Sequence, residues 1–269
     1  MSGFSADWLA LREPYDLRAR NSAVLDAVTA FFEQQTSLNV VDLACGTGST
    51  LRAISPRLPA RQSWTLMDND LDLLARATSA PPKPGIAVTA VPLDLNQQLK
   101  AAFEGKVDLV TTSALLDLVS EAWLHRLAVA VTDSSIPFYA ALSYDGRITF
   151  TPPDPFDAAI ARSVDAHQRT DKGFGPALGP AAADFALTRF KALGYSAIPG
   201  ASDWAMGPEN RDLQTELLGG WAMAAHDIGT LSGEDIRAWL TRRRALIAAG
   251  RSALLVGHVD FFATPSATR

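Results

Sequence analysis

The stretch NVVDLACGTGST, Asn39 to Thr50, runs from strand-forming residues through one carboxylate into a turn of small residues. Val40, Val41 and Leu43 make the apolar run expected of a strand buried on both faces. Gly46 and Gly48, two apart after such a strand, form a loop that lets a ligand approach the backbone closely. A dinucleotide fingerprint needs a third small residue three places after the second glycine. That place is taken by Leu51. A Walker loop closes on Gly-Lys-Ser/Thr, and no such ending follows. Asp42, inside the end of the strand, would repel a pyrophosphate but suits a ligand with positive charge or hydroxyl donors.

Outward from this loop, strands and helices alternate. Residues 63–70, 86–95 and 137–146 read as further strands, and the stretch 107–119 begins as another, with helices over 49–58, 71–78 and 120–131. Ser120 is the N-cap of the last of these. Pro92 places the third strand near a sheet edge. This alternation predicts a mostly parallel, doubly wound sheet with helices on both faces. Seven strands are expected, the last antiparallel.

Before the loop, residues 7–35 have helical spacing with a break at Pro14, and Leu17, Val24, Val28 and Phe31 share a face. After residue 146 the pattern turns proline-rich, and helices are expected over 156–168, 181–193, 208–228 and from Ser232. Gly194 stops the second of these and Ser232 with Asp235 starts the fourth. Residues 195–206 are read as one sixth strand and 252–264 as the last. No linker divides the chain, so residues 1–269 are expected to form a single domain. Within it, residues 1–36 form an N-terminal helical segment, and 147–180 and 208–250 are helical additions expected to form a substrate pocket.

Composition is that of a globular protein, with 48% hydrophobic and 20% charged residues and a net charge of −5. That charge argues against a nucleic-acid partner. The one basic cluster, TRRR at Thr241–Arg244, reads as a solvated helix face. No run reaches the roughly eighteen apolar residues of a membrane span, and the N-terminus has no signal pattern. A cytoplasmic location without membrane partner is expected, and a homodimer is allowed. Cys45 is the single cysteine, which excludes an intrachain disulfide and a multi-cysteine metal site.

VVDLACGTG resembles the first motif of the class I S-adenosylmethionine (SAM)-dependent methyltransferases, with Ala44 in place of that motif's first glycine. SAM carries an ammonium, a sulfonium and ribose hydroxyls, and no phosphate. The resemblance implies a Rossmann-like methyltransferase fold and places Asp42 at the methionine end. It lays the cofactor along Ala44, Cys45, Gly46 and Gly48. The second strand ends LMDND, so Asp68, beside Asn69, would hold the ribose hydroxyls, with Asp70 capping the next helix. The third ends PLDLNQQ, giving Asp94 to the adenine amino group and Leu95 to the ring. Ser113 to Leu115, after the fourth, would border the methionine portion. Residues 1–36 would act as a lid, with Tyr15 and Arg20 as contacts to the cofactor carboxylate. The resemblance covers residues 39–144 well and the remainder only in strand and helix order.

Methyl transfer rests largely on alignment, and a base is needed only where the acceptor must lose a proton. The candidates are Asp117 after the fourth strand, Tyr144 with Asp145 after the fifth, and His167. His167, Arg169, Asp171 and Lys172 precede a glycine loop able to cover the cleft and together could bind a polar or anionic substrate. His125, His226 and His258 are read as structural. TTSA after the fourth strand is not the Asn/Asp-Pro-Pro-aromatic motif of amine-methylating relatives, and no Pro-Cys pair is present there. A small-molecule acceptor, methylated on oxygen or nitrogen, is therefore expected. The alternatives are a non-catalytic SAM-fold scaffold and a nucleotide-dependent oxidoreductase.

Overall fold

The computed structural model describes residues 5–266. Four strands run parallel: β1 (Ser37–Leu43), β2 (Arg61–Asp68), β3 (Ile86–Pro92) and β4 (Leu109–Ser113). β5 (Phe138–Thr151) continues them in parallel beside β4. β8 (Ala253–Pro265) then pairs antiparallel with β5, β6 (Tyr195–Ala201) and β7 (Trp204–Met206). The path is β3-β2-β1-β4-β5-β8-β6, with β7 also on β8. Pro92 is the last residue of the edge strand β3, where its missing N–H costs no ladder bond.

The helices are α1 (Ala6–Ala19), α2 (Ser22–Phe32), α3 (Ser49–Ile54), α4 (Leu71–Ala77), α5 (Leu95–Gln98), α6 (Glu121–Asp133), α7 (Asp157–Gln168), α8 (Ala182–Ala192), α9 (Arg211–Ile228) and α10 (Gly233–Ala248). Their starts follow the expected caps. Ser120 accepts from the Trp123 amide at 3.3 Å, Asp70 from Asp72 and Leu73, and Ser232 from Asp235.

The period-2 alternation of the strands sorts the core into faces. Phe138 and Phe261 join Trp123, Leu127 and Phe190 on one face, beneath α6 and α8. Tyr139 and Phe262 turn to the other, against Val24, Phe32 and Trp64. A third cluster gathers Trp204, Leu218, Trp221 and Trp239 where α7, α9 and α10 cover the far halves of β5 and β8.

Four expectations are corrected. Pro14 does not break the first helix, which continues to Ala19. The break falls at Arg20, whose extended backbone precedes Asn21, the N-cap of α2. Leu17 therefore lies on a different helix from Val24 and is 56% exposed, while Phe32 rather than Phe31 completes the buried face. The fifth strand does not end at residue 146 but passes through two register shifts to Thr151. Leu142 and Gly146 absorb them with positive φ; such bulges give no periodic signal. The expected sixth strand is two, β6 and β7, so the sheet has eight strands. TRRR is only partly solvated: Arg243 is fully buried on Asp157, and Arg242 pairs with Asp154.

Candidate active site

β1, β2, β3 and β4 end at one edge of the sheet, and the strand order reverses between β1 and β4. Ligands of open α/β sheets bind at such a switch point. The loop leaving β1 winds through left-handed backbone at Ala44 (φ 51°), Gly46 (φ 53°) and Gly48 (φ 80°), the last opening α3. Asp68, at the end of β2, fixes this loop from the side. Its Oδ2 accepts the Gly46 N–H at 2.8 Å and its Oδ1 the Asp70 N–H at 3.0 Å. A carboxylate offers about four lone-pair directions, so acceptor capacity is left for hydroxyl donors. Asn69 beside it is exposed. Cys45 is buried, and burial pushes its thiol far up, so it packs in the turn and is no nucleophile.

Beneath the loop lies a buried charge pair. Asp42 is fully buried, accepts from the Thr111 hydroxyl at 2.7 Å, and leaves Oδ2 without a partner. Burial pushes its carboxyl up to about 7, against the pull of Thr111 and of the Arg20 guanidinium. Arg20, at the junction of α1 and α2, is itself buried. It donates to the Tyr139 hydroxyl at 3.1 Å and, more weakly, towards Thr50 and Ser113 at 3.5 Å, with Nε unpartnered. Tyr139 in turn donates to Asp260, whose other oxygen accepts the Leu142 N–H of the β5 bulge. The irregularity in β5 is thus tied to the position of Arg20. A buried guanidinium N–H and a buried carboxyl oxygen, both unpartnered and electrostatically coupled, are costly in the absence of a ligand. They fit a molecule bearing a carboxylate and an ammonium together.

Asp94 caps α5, accepting from the Asn96 N–H at 2.9 Å and the Gln97 side chain at 2.7 Å. Leu95 is buried, and its carbonyl accepts from Trp123 Nε1. Ser113 is half-buried and followed by Ala114 at φ 52°, while the Leu115 side chain turns into the core, leaving only its backbone to border the edge. The loop after α7 folds over this end. Asn96 Nδ2 donates to the Gly173 carbonyl and Phe174 meets Trp123 edge-on at 5.2 Å.

α1 lies across the glycine loop. A Cβ placed on Gly46 would sit 3.3 Å from Leu9 Cδ1, and Glu13 forms a two-point ion pair with Arg52 of α3. Tyr15, however, packs with Trp8 and Leu11 against the third core cluster, under the Arg18 guanidinium. Of the two arms expected from the N-terminus, Arg20 reaches towards Thr50 and Ser113, and Tyr15 packs among apolar side chains.

The structure separates the base candidates. Asp117 is buried just after β4, with Gln168 donating to Oδ2 at 3.3 Å and Oδ1 unpartnered. Burial raises it to about 6, opposed by nearby N–H groups and by Arg12. Tyr144 donates to Asp165 at 2.8 Å, and burial beside that carboxylate pushes its hydroxyl up, so it holds its proton. Asp145 is engaged with Arg147. His167 faces Lys172 at 3.3 Å and Asp227 at 3.8 Å, and burial lowers it. Asp171 accepts the Gly173 and Gly175 amides of its own loop, and Arg169 donates to the Asp165 carbonyl. His167 and Lys172 therefore meet, while Arg169 and Asp171 are engaged elsewhere. His125 joins Arg189 of α8, and His258 is buried, neutral and against Trp204.

Arg12, Thr111 and Gln168 were not singled out by sequence. Arg12 is buried over Trp204 and doubly bonded to Asp16, an (i, i+4) pair that sequence spacing could have flagged. Thr111 and Gln168 carry no such signal. Among the described residues, no group of three His, Cys, Asp or Glu could hold a metal ion, and no helix is long and apolar enough to cross a membrane.

Residues 40–133 match a family model described as a methyltransferase domain. Comparison with curated protein sequences finds no match. Among solved structures, the chain is similar to a cyclopropane-fatty-acyl-phospholipid synthase-like protein from Lactobacillus casei, with TM-score 0.54, 12% identity and 97% and 94% of the two chains covered. It is also similar to a SAM-dependent methyltransferase from Geobacter sulfurreducens in complex with S-adenosyl-L-homocysteine, with TM-score 0.51, 16% identity and 98% and 100% covered. Residues 40–133 thus match a methyltransferase-domain model, and the chain as a whole has the Rossmann-like fold of these two structures.

Proposed function

We propose that the protein is a cytoplasmic SAM-dependent methyltransferase acting on an oxygen or nitrogen of a small molecule. The observation that carries this is the pair of buried, incompletely bonded charges, Arg20 and Asp42, under a glycine loop fixed by Asp68. SAM, when bound, supplies a sulfonium methyl group as electrophile. Arg20 would hold the carboxylate of the amino-acid end and Asp42, through Oδ2, its ammonium. Asp68 would accept from the ribose hydroxyls. Leu95 and the backbone of Ser113 to Leu115 would line the adenine and methionine portions, and Asp94 would border the adenine while capping α5.

α1 acts as the lid in this reading. Leu9 rests on Gly46 and must shift for the adenosyl group to enter, with Glu13–Arg52 as the clasp. Asp117 is the base, where the acceptor needs one: its free Oδ1 can hold a proton, and a carboxyl raised to about 6 is ionised at neutral pH yet basic enough to be useful. Tyr144 and Asp165 flank it as a positioned polar wall.

Thermal unfolding in the presence of SAM, S-adenosylhomocysteine and NAD(H) tests the reading. Both sulfur ligands should stabilise the protein and NAD(H) should not. No shift with either sulfur ligand at millimolar concentration refutes cofactor binding. Binding without methyl transfer to any member of a small-molecule acceptor panel would favour the scaffold alternative.

A further inference from the structure

Away from the loop described above, a groove of about 1120 Å³ runs over the outer face of α9, walled by α10, α7 and the start of α1. Its surface is mainly apolar, with Trp8, Met223, Ile236 and Leu240 among its lining. Met223 is 66% exposed there. Gly219 and Gly220 lie side by side in the middle of α9, where each costs up to about 1 kcal/mol relative to alanine. Neither has positive φ, and a Cβ on either would meet nothing within 4 Å. Neither backbone conformation nor close packing requires a glycine at these positions; what they do is keep the groove floor clear.

The charges in the groove are unevenly matched. α10 carries four arginines between 237 and 244. Arg242 and Arg243 are committed to Asp154 and Asp157. Arg237 and Arg244, two turns apart, both line the groove. Among the described residues, neither has an acidic group within ion-pair distance. Of the lining carboxylates, Asp227 faces the Lys172 ammonium and the His167 ring, which leaves Glu216 to offset two guanidinium groups. The groove also touches the catalytic edge, since Gln168 lines it and donates to Asp117.

We propose that this groove binds an amphipathic anion, a medium-length acyl chain ending in a carboxylate, with the head on Arg237 and Arg244 and the chain along Met223, Leu240 and Trp8. A volume of this size is ample for such a molecule, and a guanidinium pairs with carboxylate through two parallel hydrogen bonds. That this molecule is the methyl acceptor rests on the function proposed above; that it binds does not.

The probe is dodecanoate, titrated calorimetrically below its micellar concentration, with dodecanol as the uncharged comparison. Dodecanoate should bind at least tenfold more tightly than dodecanol. The Arg237→Ala/Arg244→Ala protein should lose at least tenfold in dodecanoate affinity and little for dodecanol. Gly219→Phe, which fills the floor from a position with room for a side chain, should abolish both. SAM-induced thermal stabilisation, measured on each variant, reports that the fold and cofactor loop are intact. Dodecanoate binding that is absent, or unchanged in Gly219→Phe, overturns the proposal while SAM stabilisation still supports methyl transfer. Dodecanoate binding without SAM stabilisation keeps the groove and removes the methyltransferase reading.

Discussion

Replacing Asp42 by asparagine should make the ligand-free protein progressively more stable than wild type as pH rises. The carboxyl is wholly buried, and its raised pKa, from an ordinary 3.8 to about 7, arises first from lost hydration. At about 1.4 kcal/mol per pH unit, the complete effect is about 4 kcal/mol. The sign follows from proton binding. Between these two values the folded state holds a proton that the unfolded state has released, so folding stability falls as pH rises through the window. From pH 5 to pH 8 the wild type should lose about 2–3 kcal/mol through this group alone. The substituted asparagine does not titrate. Its amide can keep the Thr111 bond through oxygen, and any cost of burying its NH₂ is the same at every pH. Other titrating groups, Asp117 among them, are present in both proteins and cancel. Urea denaturation of both at half-unit steps from pH 5 to 8 reads the difference directly. A difference that stays flat within about 0.5 kcal/mol over that range would refute the assignment of Asp42 as a carboxylate destabilised by burial. The same reasoning predicts that SAM binding to wild type near pH 6 releases a proton, since the ammonium favours the ionised form. Calorimetry in buffers of differing ionisation enthalpy should detect that proton, and should find none in Asp42→Asn.

Three further outcomes are expected. With an acceptor that must be deprotonated, the wild-type rate should rise through about pH 6 as Asp117 ionises, and Asp117→Asn should cost about 10²–10⁴-fold in kcat with SAM affinity retained; an unaltered pH profile in the variant would remove Asp117 as the base. Gly46→Ala combines a left-handed φ, worth about 1–2 kcal/mol, with a Cβ 3.3 Å from Leu9, so the melting temperature should drop and SAM affinity should fall at least tenfold; wild-type affinity would show that α1 does not rest on the loop. Arg243→Met leaves Asp157 buried against only the Trp239 N–H and neighbouring amides, so unfolding free energy should fall by about 3–5 kcal/mol, and a loss under 1 kcal/mol in denaturant titration would show that the pair contributes nothing net.

How much of this site could be read from residues alone depends on the range of the forces involved. The loop from Asp42 to Gly48 was legible because its chemistry is local: a strand, a carboxylate and two glycines within a few positions. Asp68 and Asp70 were separable for the same reason, one ending a strand and the other capping a helix. What escaped was fixed by pairings across the chain. Pro14 looked like a break because sequence shows the missing N–H but not the packing of Trp8 and Leu11 that holds α1 together around it. Arg243 looked solvated because its partner Asp157 lies 86 positions away. Tyr15 sat close enough to Arg20 in sequence to be taken as its companion, yet helical rotation sends the two in different directions.

The same distinction bears on how the site works. Arg20 is positioned neither by α1 nor by α2 but by the break between them, and its hydroxyl partner Tyr139 is anchored by Asp260, which also fastens the β5 bulge at Leu142. A residue of the last strand thereby supports a cation at the end of the first helix, beneath a loop that belongs to the first strand. Such a cation can remain unsaturated only because its surroundings are fixed by other bonds. Rigidity in β5 and β8 is therefore a condition for the open charge pair, and the open charge pair is the feature suited to a ligand bearing both signs of charge.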